Sequence, residues 1–134
     1  MSAALLAFIA RYLGVSGSGT NPVNRGQCVG LVELWILTQG QVPLGGNAKD
    51  LLVSATARKW RVTYNAPQNY PGAGDVAVWN STWGNGYGHT AIALVATSMH
   101  LVVFEQNDPT GAAPLVSTHL YTGVGGWFTL PQKG

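Results

Sequence analysis

Cysteine is almost absent from this sequence: one residue, Cys28, in 134. That excludes an intramolecular disulfide and a cysteine-rich zinc site, and leaves Cys28 as buried packing, an incidental thiol or a nucleophile. Charge is also scarce, at 9% of residues, with seven Lys and Arg against five Asp and Glu and a formal net charge of +2. Only Arg58, Lys59 and Arg61 cluster, too few for a nucleic-acid-binding face. The small positive surplus does favour approach to an anionic surface. No apolar run comes near the ~20 residues of a membrane span, and the first residues lack the basic stretch of a secretory signal. A soluble chain without export address or membrane partner is therefore expected. What is abundant is apolar side chains, 46%, together with 18 glycines and 7 prolines. Such a composition predicts one domain over residues 1–134, with many turns and short strands and its own core.

Leu5, Phe8, Ile9, Tyr12 and Leu13 follow helical spacing behind Ser2 as N-cap, so a helix is expected over about residues 3–13. Asn24 and Gln27 spell a capping box ahead of a mostly apolar helix reaching Gly40. A third helix is expected to open at Asn47, with Asp50 as capping partner, and to fade near Arg58. Beyond Trp60 the pattern changes to strands, expected at 61–64, 75–79, 89–96, 101–106, 115–121 and 127–130. Turn-rich connectors at Pro67–Gly74 and Asn80–Gly88 separate them, and a hairpin turn lies at Thr97–His100. Helices first and strands afterwards predict an α+β fold, with the N-terminal helices packed on an antiparallel sheet.

Cys28 falls in the first turn of the second helix, where unpaired N–H groups and the helix dipole favour a thiolate. Gln27, just before it, is suited to bind an oxyanion together with the cysteine's own N–H, or else to close the capping box. Of the three histidines, His89 stands where a glycine-rich loop meets a strand, His100 in a hairpin turn and His119 in a polar late strand. The first of these positions is the one suited to chemistry. Glu105 ends the apolar run Leu101–Phe104. If the two strands form the hairpin, the start of one lies beside the end of the other and His89 meets Glu105, which can orient the imidazole. The alternative for Glu105 is a solvated strand end. Trp79, Trp83 and Tyr87 border the loop before His89, as walls of a substrate groove or as ordinary packing.

The blocks Gly26-Gln27-Cys28-Val29, Asn47-Ala48-Lys49-Asp50, Pro71-Gly72-Ala73-Gly74-Asp75-Val76, Gly88-His89-Thr90-Ala91-Ile92 and Glu105-Gln106-Asn107 stand in that order. Together they resemble the CHAP family, the cysteine, histidine-dependent amidohydrolases/peptidases of phage lysins and bacterial wall hydrolases. The resemblance runs from about Gln27 to Trp127. It implies a papain-like fold and a peptidoglycan amidase or endopeptidase. It also implies roles: Cys28 as nucleophile, His89 as base, Glu105 as its orienting partner, Asn107 as a supporting polar group and Gln27 as oxyanion donor. It further implies a monomer without cofactor, made in a host cytoplasm and acting on the wall as an endolysin or virion lysin.

Some phage members bind calcium through carboxylates before the cysteine and two residues after it. Here Thr20, Asn21, Val23 and Asn24 precede Cys28 and Gly30 follows, so no metal is expected there. An NlpC-type peptidase is a second enzymatic reading, disfavoured by Glu105 and Asn107. A non-catalytic papain-like structural or wall-binding module of a phage tail is a third, which has no need of Cys28, His89, Glu105 and Asn107 together.

Overall fold

The computed structural model describes residues 1–131. Three helices, α1 (Ala3–Tyr12), α2 (Cys28–Thr38) and α3 (Leu51–Ala57), precede six strands. These are β1 (Arg61–Tyr64), β2 (Val76–Trp79), β3 (His89–Ala96), β4 (Leu101–Glu105), β5 (Leu115–His119) and β6 (Val124–Thr129). The strands form one sheet in the order β1-β6-β2-β3-β4-β5, with antiparallel pairing throughout. The expected α+β division holds.

Local chemistry accounts for the helix boundaries. Ser2 Oγ accepts the Leu5 N–H at 3.1 Å and caps α1, which buries Leu5 and Phe8. The α2 helix starts later than the Asn24–Gln27 capping box predicts. Asn24 Oδ1 is spent on the N–H groups of Thr20 and Asn21, at 2.8 and 3.1 Å. Gly26 then turns the chain with φ +75°, and helix begins only at Cys28, without a side-chain cap from Gln27. The box expected at Asn47 and Asp50 is also absent. Instead a 3₁₀ turn, Ala48–Asp50, leads into α3, and no side chain caps it.

Strand alternation divides the core in two. One face of the sheet, with Val76, Val78, Ile92, Phe104 and Phe128, packs on Leu5, Phe8, Leu31, Val32, Trp35, Ile36 and Leu51 of the helices. Burial of each such side chain contributes roughly 1.5–3 kcal/mol. The other face carries Ala77, Trp79, Ala91, Ala93, Leu101, Val103 and Trp127. The turn before β2 is held by Asp75, whose Oδ2 accepts the Gly72 N–H at 2.8 Å, and by the Trp35 indole N–H donating to the Gly74 carbonyl at 2.9 Å.

Candidate active site

An open cleft of about 660 Å³ runs along the end of the sheet. Cys28, Gln27, Asn47, Tyr87, His89 and Asn107 are among its lining residues. Cys28 reaches it as the first residue of α2, half-buried. His89 reaches it as the first residue of β3, and Gly88 ahead of it has φ +80°. A Cβ on Gly88 would stand 2.6 Å from the Trp79 carbonyl oxygen and 2.7 Å from the Lys49 nitrogen, so only glycine lets the loop approach there.

The hairpin places β3 against β4 with Ala93 opposite Val103, and alternation then puts His89 and Glu105 on the same face. His89 Nε2 lies 2.7 Å from Glu105 Oε1. A carboxylate only accepts, so this contact makes Nε2 the protonated nitrogen and leaves Nδ1 to meet the Cys28 thiol. Burial alone pushes the His89 imidazole down, but hydrogen bonds to Cys28 and Glu105 and their negative charge outweigh it and raise its pKa from the ordinary 6.5 to about 9. For Glu105, burial pushes up. Hydrogen bonds from His119, His89 and Ser117, with the charge of His119, outweigh it and hold the pKa at about 2.

Asn107 lies beside this chain rather than in it. Its side-chain Nδ2 donates to Gln27 Oε1 at 3.2 Å and its Oδ1 accepts the Gly111 N–H at 2.7 Å. With Oε1 so engaged, the Gln27 amide N–H₂ is left for the cleft. The expected aromatic groove needs correction. Tyr87 lines the cleft and is 62% exposed, but Trp79 is 0% exposed and packs in the core of the sheet's second face. Trp79 has His89 at 5.0 Å between ring centroids, and Trp83 stacks on the His89 ring at 6.0 Å. These two indoles wall the imidazole from behind and are not among the residues lining the cleft.

Sequence reasoning missed three residues. Gln106, 0% exposed, accepts the Ser18 N–H at 3.1 Å and donates to the carbonyls of Ser18 and Gln27 at 2.9 and 2.7 Å. It ties the end of β4 to the residue before Cys28. His119 contacts both oxygens of Glu105, at 2.9 and 2.8 Å, whereas a neutral place in a polar strand was expected for it. His100 does sit in an exposed turn. Glu33 was unremarked, and helical spacing on α2 was the available signal. Its carboxylate accepts from Thr20 Oγ1 at 3.1 Å, Asn24 Nδ2 at 2.7 Å and the Gly45 N–H at 3.0 Å.

Glu33 brings a carboxylate to the loop before Cys28, contrary to the expectation of none there. The residues nevertheless do not fit calcium. The Glu33 and Asn24 oxygens are occupied by N–H and O–H donors. A Cβ on Gly30 would lie 2.2 Å from the Asn24 carbonyl oxygen, so no side chain can project from that position. Ligand-type atoms of His89, Glu105, Asp108 and His119 do lie within 4.8 Å of one another. The His–Glu separations of 2.7 and 2.8 Å are those of shared protons, shorter than the about 3.3 Å between two ligands of a tetrahedral zinc ion.

The chain matches the family described as CHAP domain over residues 18–107. It is 32% identical over 109 residues to endolysin PlyTW of Staphylococcus phage Twort, a stretch that is 73% of this chain and 23% of the endolysin. Among solved structures, that of Ly7917 superposes with a TM-score of 0.70 at 20% identity, over 96% of this chain and 61% of that one. An N-acetylmuramoyl-L-alanine amidase from Staphylococcus aureus superposes with a TM-score of 0.64 at 21% identity, over 88% of this chain and 34% of that one. These structural likenesses speak to the fold. The chain spans about a quarter of the endolysin's length and under two thirds of either structure.

Proposed function

Since the chain belongs to the CHAP family, we propose that it hydrolyses an amide bond of bacterial peptidoglycan, as an N-acetylmuramoyl-L-alanine amidase or an endopeptidase, with Cys28 as nucleophile. The observation that carries this reading is the placement of Cys28 and His89 on the wall of one open cleft, with His89 bonded to the buried Glu105. In it, the proton shared by Cys28 and His89 rests on His89, and the Cys28 thiolate attacks the scissile carbonyl carbon. The oxyanion receives the Cys28 N–H, which as the first of a helix has no partner within it, and the Gln27 amide N–H. The His89 imidazolium then protonates the leaving amine. Water, deprotonated by His89, opens the thioester and restores the thiolate.

Glu105 stays ionised in this scheme, holds the Nε2–H tautomer of His89 and stabilises the imidazolium. Asn107 supports Gln27 rather than His89. Tyr87 is the aromatic side chain available to a substrate in the cleft. Residues 1–134 work here as one catalytic domain, a monomer, on the wall.

The test is hydrolysis of purified peptidoglycan by the wild-type chain and by Cys28→Ser and His89→Ala, with released fragments read by mass spectrometry. Both variants lose hydrolysis while keeping the fold. New amino groups on L-alanine identify an amidase, and new amino groups elsewhere in the stem or cross-bridge an endopeptidase. Wild-type rates in Cys28→Ser would overturn the nucleophile assignment.

A further inference from the structure

Glu105 is 1% exposed, and its two oxygens meet more donors than a Cys-His-Glu relay requires. His89 takes Oε1, Ser117 Oγ donates to Oε2, and His119 Nε2 lies across both oxygens. The pairing of β4 with β5 explains the convergence. Glu105 opposes Leu115, Val103 opposes Ser117 and Leu101 opposes His119, so Glu105, Ser117 and His119 project from one face. The His119 ring is in turn held edge-on to Trp79 and Trp83, at 5.2 and 5.5 Å between centroids, and its side chain is only 13% exposed.

From this geometry we infer that His119 is a positioning residue for the proposed hydrolysis: its Nε2–H spans the Glu105 carboxylate and fixes the plane from which Glu105 serves His89. A carboxylate held by one donor can pivot about its last bond. One held by His89 on the first oxygen, Ser117 on the second and His119 across both cannot. The buried charge is also satisfied on every side, which keeps it ionised while the proton moves between Cys28, His89 and the leaving amine. The charged and titratable groups facing His119 are Glu105 on β4, Asp108 in the following loop at 3.6 Å, and the His89 ring on β3 at 6.3 Å between centroids. From β2 and the loop beyond it come only Trp79 and Trp83. Glu105 makes the shortest of these contacts.

The inference rests on the reading of Cys28, His89 and Glu105 given above, and its test separates the two. His119→Phe keeps a ring between Trp79 and Trp83 but removes the donor, whereas His119→Gln keeps a donor. In the full chain, His119→Phe lowers kcat for wall hydrolysis by roughly ten- to a hundredfold, the rate equivalent of one charge-assisted hydrogen bond, with KM little changed. His119→Gln recovers part of that loss. By NMR, the Glu105 carboxyl of His119→Phe titrates at higher pH than in the wild type, where the His119 hydrogen bond helps to hold it low, a readout that needs no wall substrate. Added to Glu105→Gln, His119→Phe costs nothing further, because it acts through the carboxylate. Wild-type kcat and Glu105 titration in His119→Phe would reduce His119 to packing and overturn the inference, while loss of activity in Cys28→Ser would still uphold the reading beneath it. Activity surviving in Cys28→Ser would overturn that reading instead.

Discussion

Gln106 donates its side-chain N–H to the Gln27 carbonyl at 2.7 Å, so the strand that ends in Glu105 is tied directly to the residue ahead of Cys28. The relative positions of Cys28 and Glu105, the proposed nucleophile and orienting carboxylate, therefore depend on one buried amide.

Gln106→Met keeps the length of the side chain but leaves the Ser18 N–H without a partner, while the Ser18 and Gln27 carbonyls keep the N–H groups of Gly26 and Gly30. An orphaned buried N–H costs about 1–3 kcal/mol, so urea unfolding should show a loss in that range. Wall hydrolysis should fall further than the folded fraction does. A loss below ~0.5 kcal/mol would mean that the tie is dispensable.

Gly88→Ala and Gly86→Ala form a matched pair. Both glycines have positive φ, +80° and +93°, but a Cβ at Gly86 meets nothing within 4 Å, while at Gly88 it meets the backbone of Trp79 and Lys49. The backbone strain, about 1 kcal/mol, is common to both, and the clash belongs to Gly88 alone. Calorimetry should place the Tm of Gly88→Ala several degrees below that of Gly86→Ala. Equal values would show that the loop before His89 yields.

Of the groups with shifted pKa values, the bonded pair His89 and Glu105 sets a pH window for stability. His89 is raised, so its contribution is complete below 6.5 and is lost as pH rises through about 9. Glu105 is lowered, so its contribution is complete above 4.5 and is lost as pH falls through about 2. Unfolding free energy measured from pH 2 to 10 should be flat between about 4.5 and 6.5 with respect to this pair. Glu105→Gln should remove the acidic slope and move the alkaline one toward 6.5. An unchanged alkaline slope would show that Glu105 does not support the imidazolium.

Added calcium should not raise the Tm, nor should EDTA lower it, because the oxygens of Asn24 and Glu33 already accept from Thr20, Asn21 and Gly45. A ligand that binds only the folded state raises stability with its concentration, so a calcium-dependent Tm would reveal a site.

The order of helices before strands, the start of β3 at His89 and the hairpin that joins it to β4 were all determined by the sequence itself. Each depends on periodicity or on a turn of a few residues, and the short turn at Thr97–His100 leaves little freedom of register, so His89 beside Glu105 was legible. So were Cys28 at a helix start and the ordered blocks that mark the family. The start of α2 was misread because the amide of Asn24 has two competing uses, a helix cap or the Thr20–Asn24 loop, and only the packing of Glu33 against that loop selects between them. His119 was beyond reach for a related reason. Residues 106–114 separate β4 from β5, a connection too long to set register, and a slip of one residue would turn His119 to the opposite face. Trp79 behaves likewise. Its position next to the loop suggested a groove wall, but β6 pairs with β2 from the far end of the chain, and the rings of Trp83, His89 and His119 pack around the indole. Contacts between neighbours in sequence were determined by residue chemistry, whereas the donors that converge on Glu105 were decided only when distant strands took their places in the sheet.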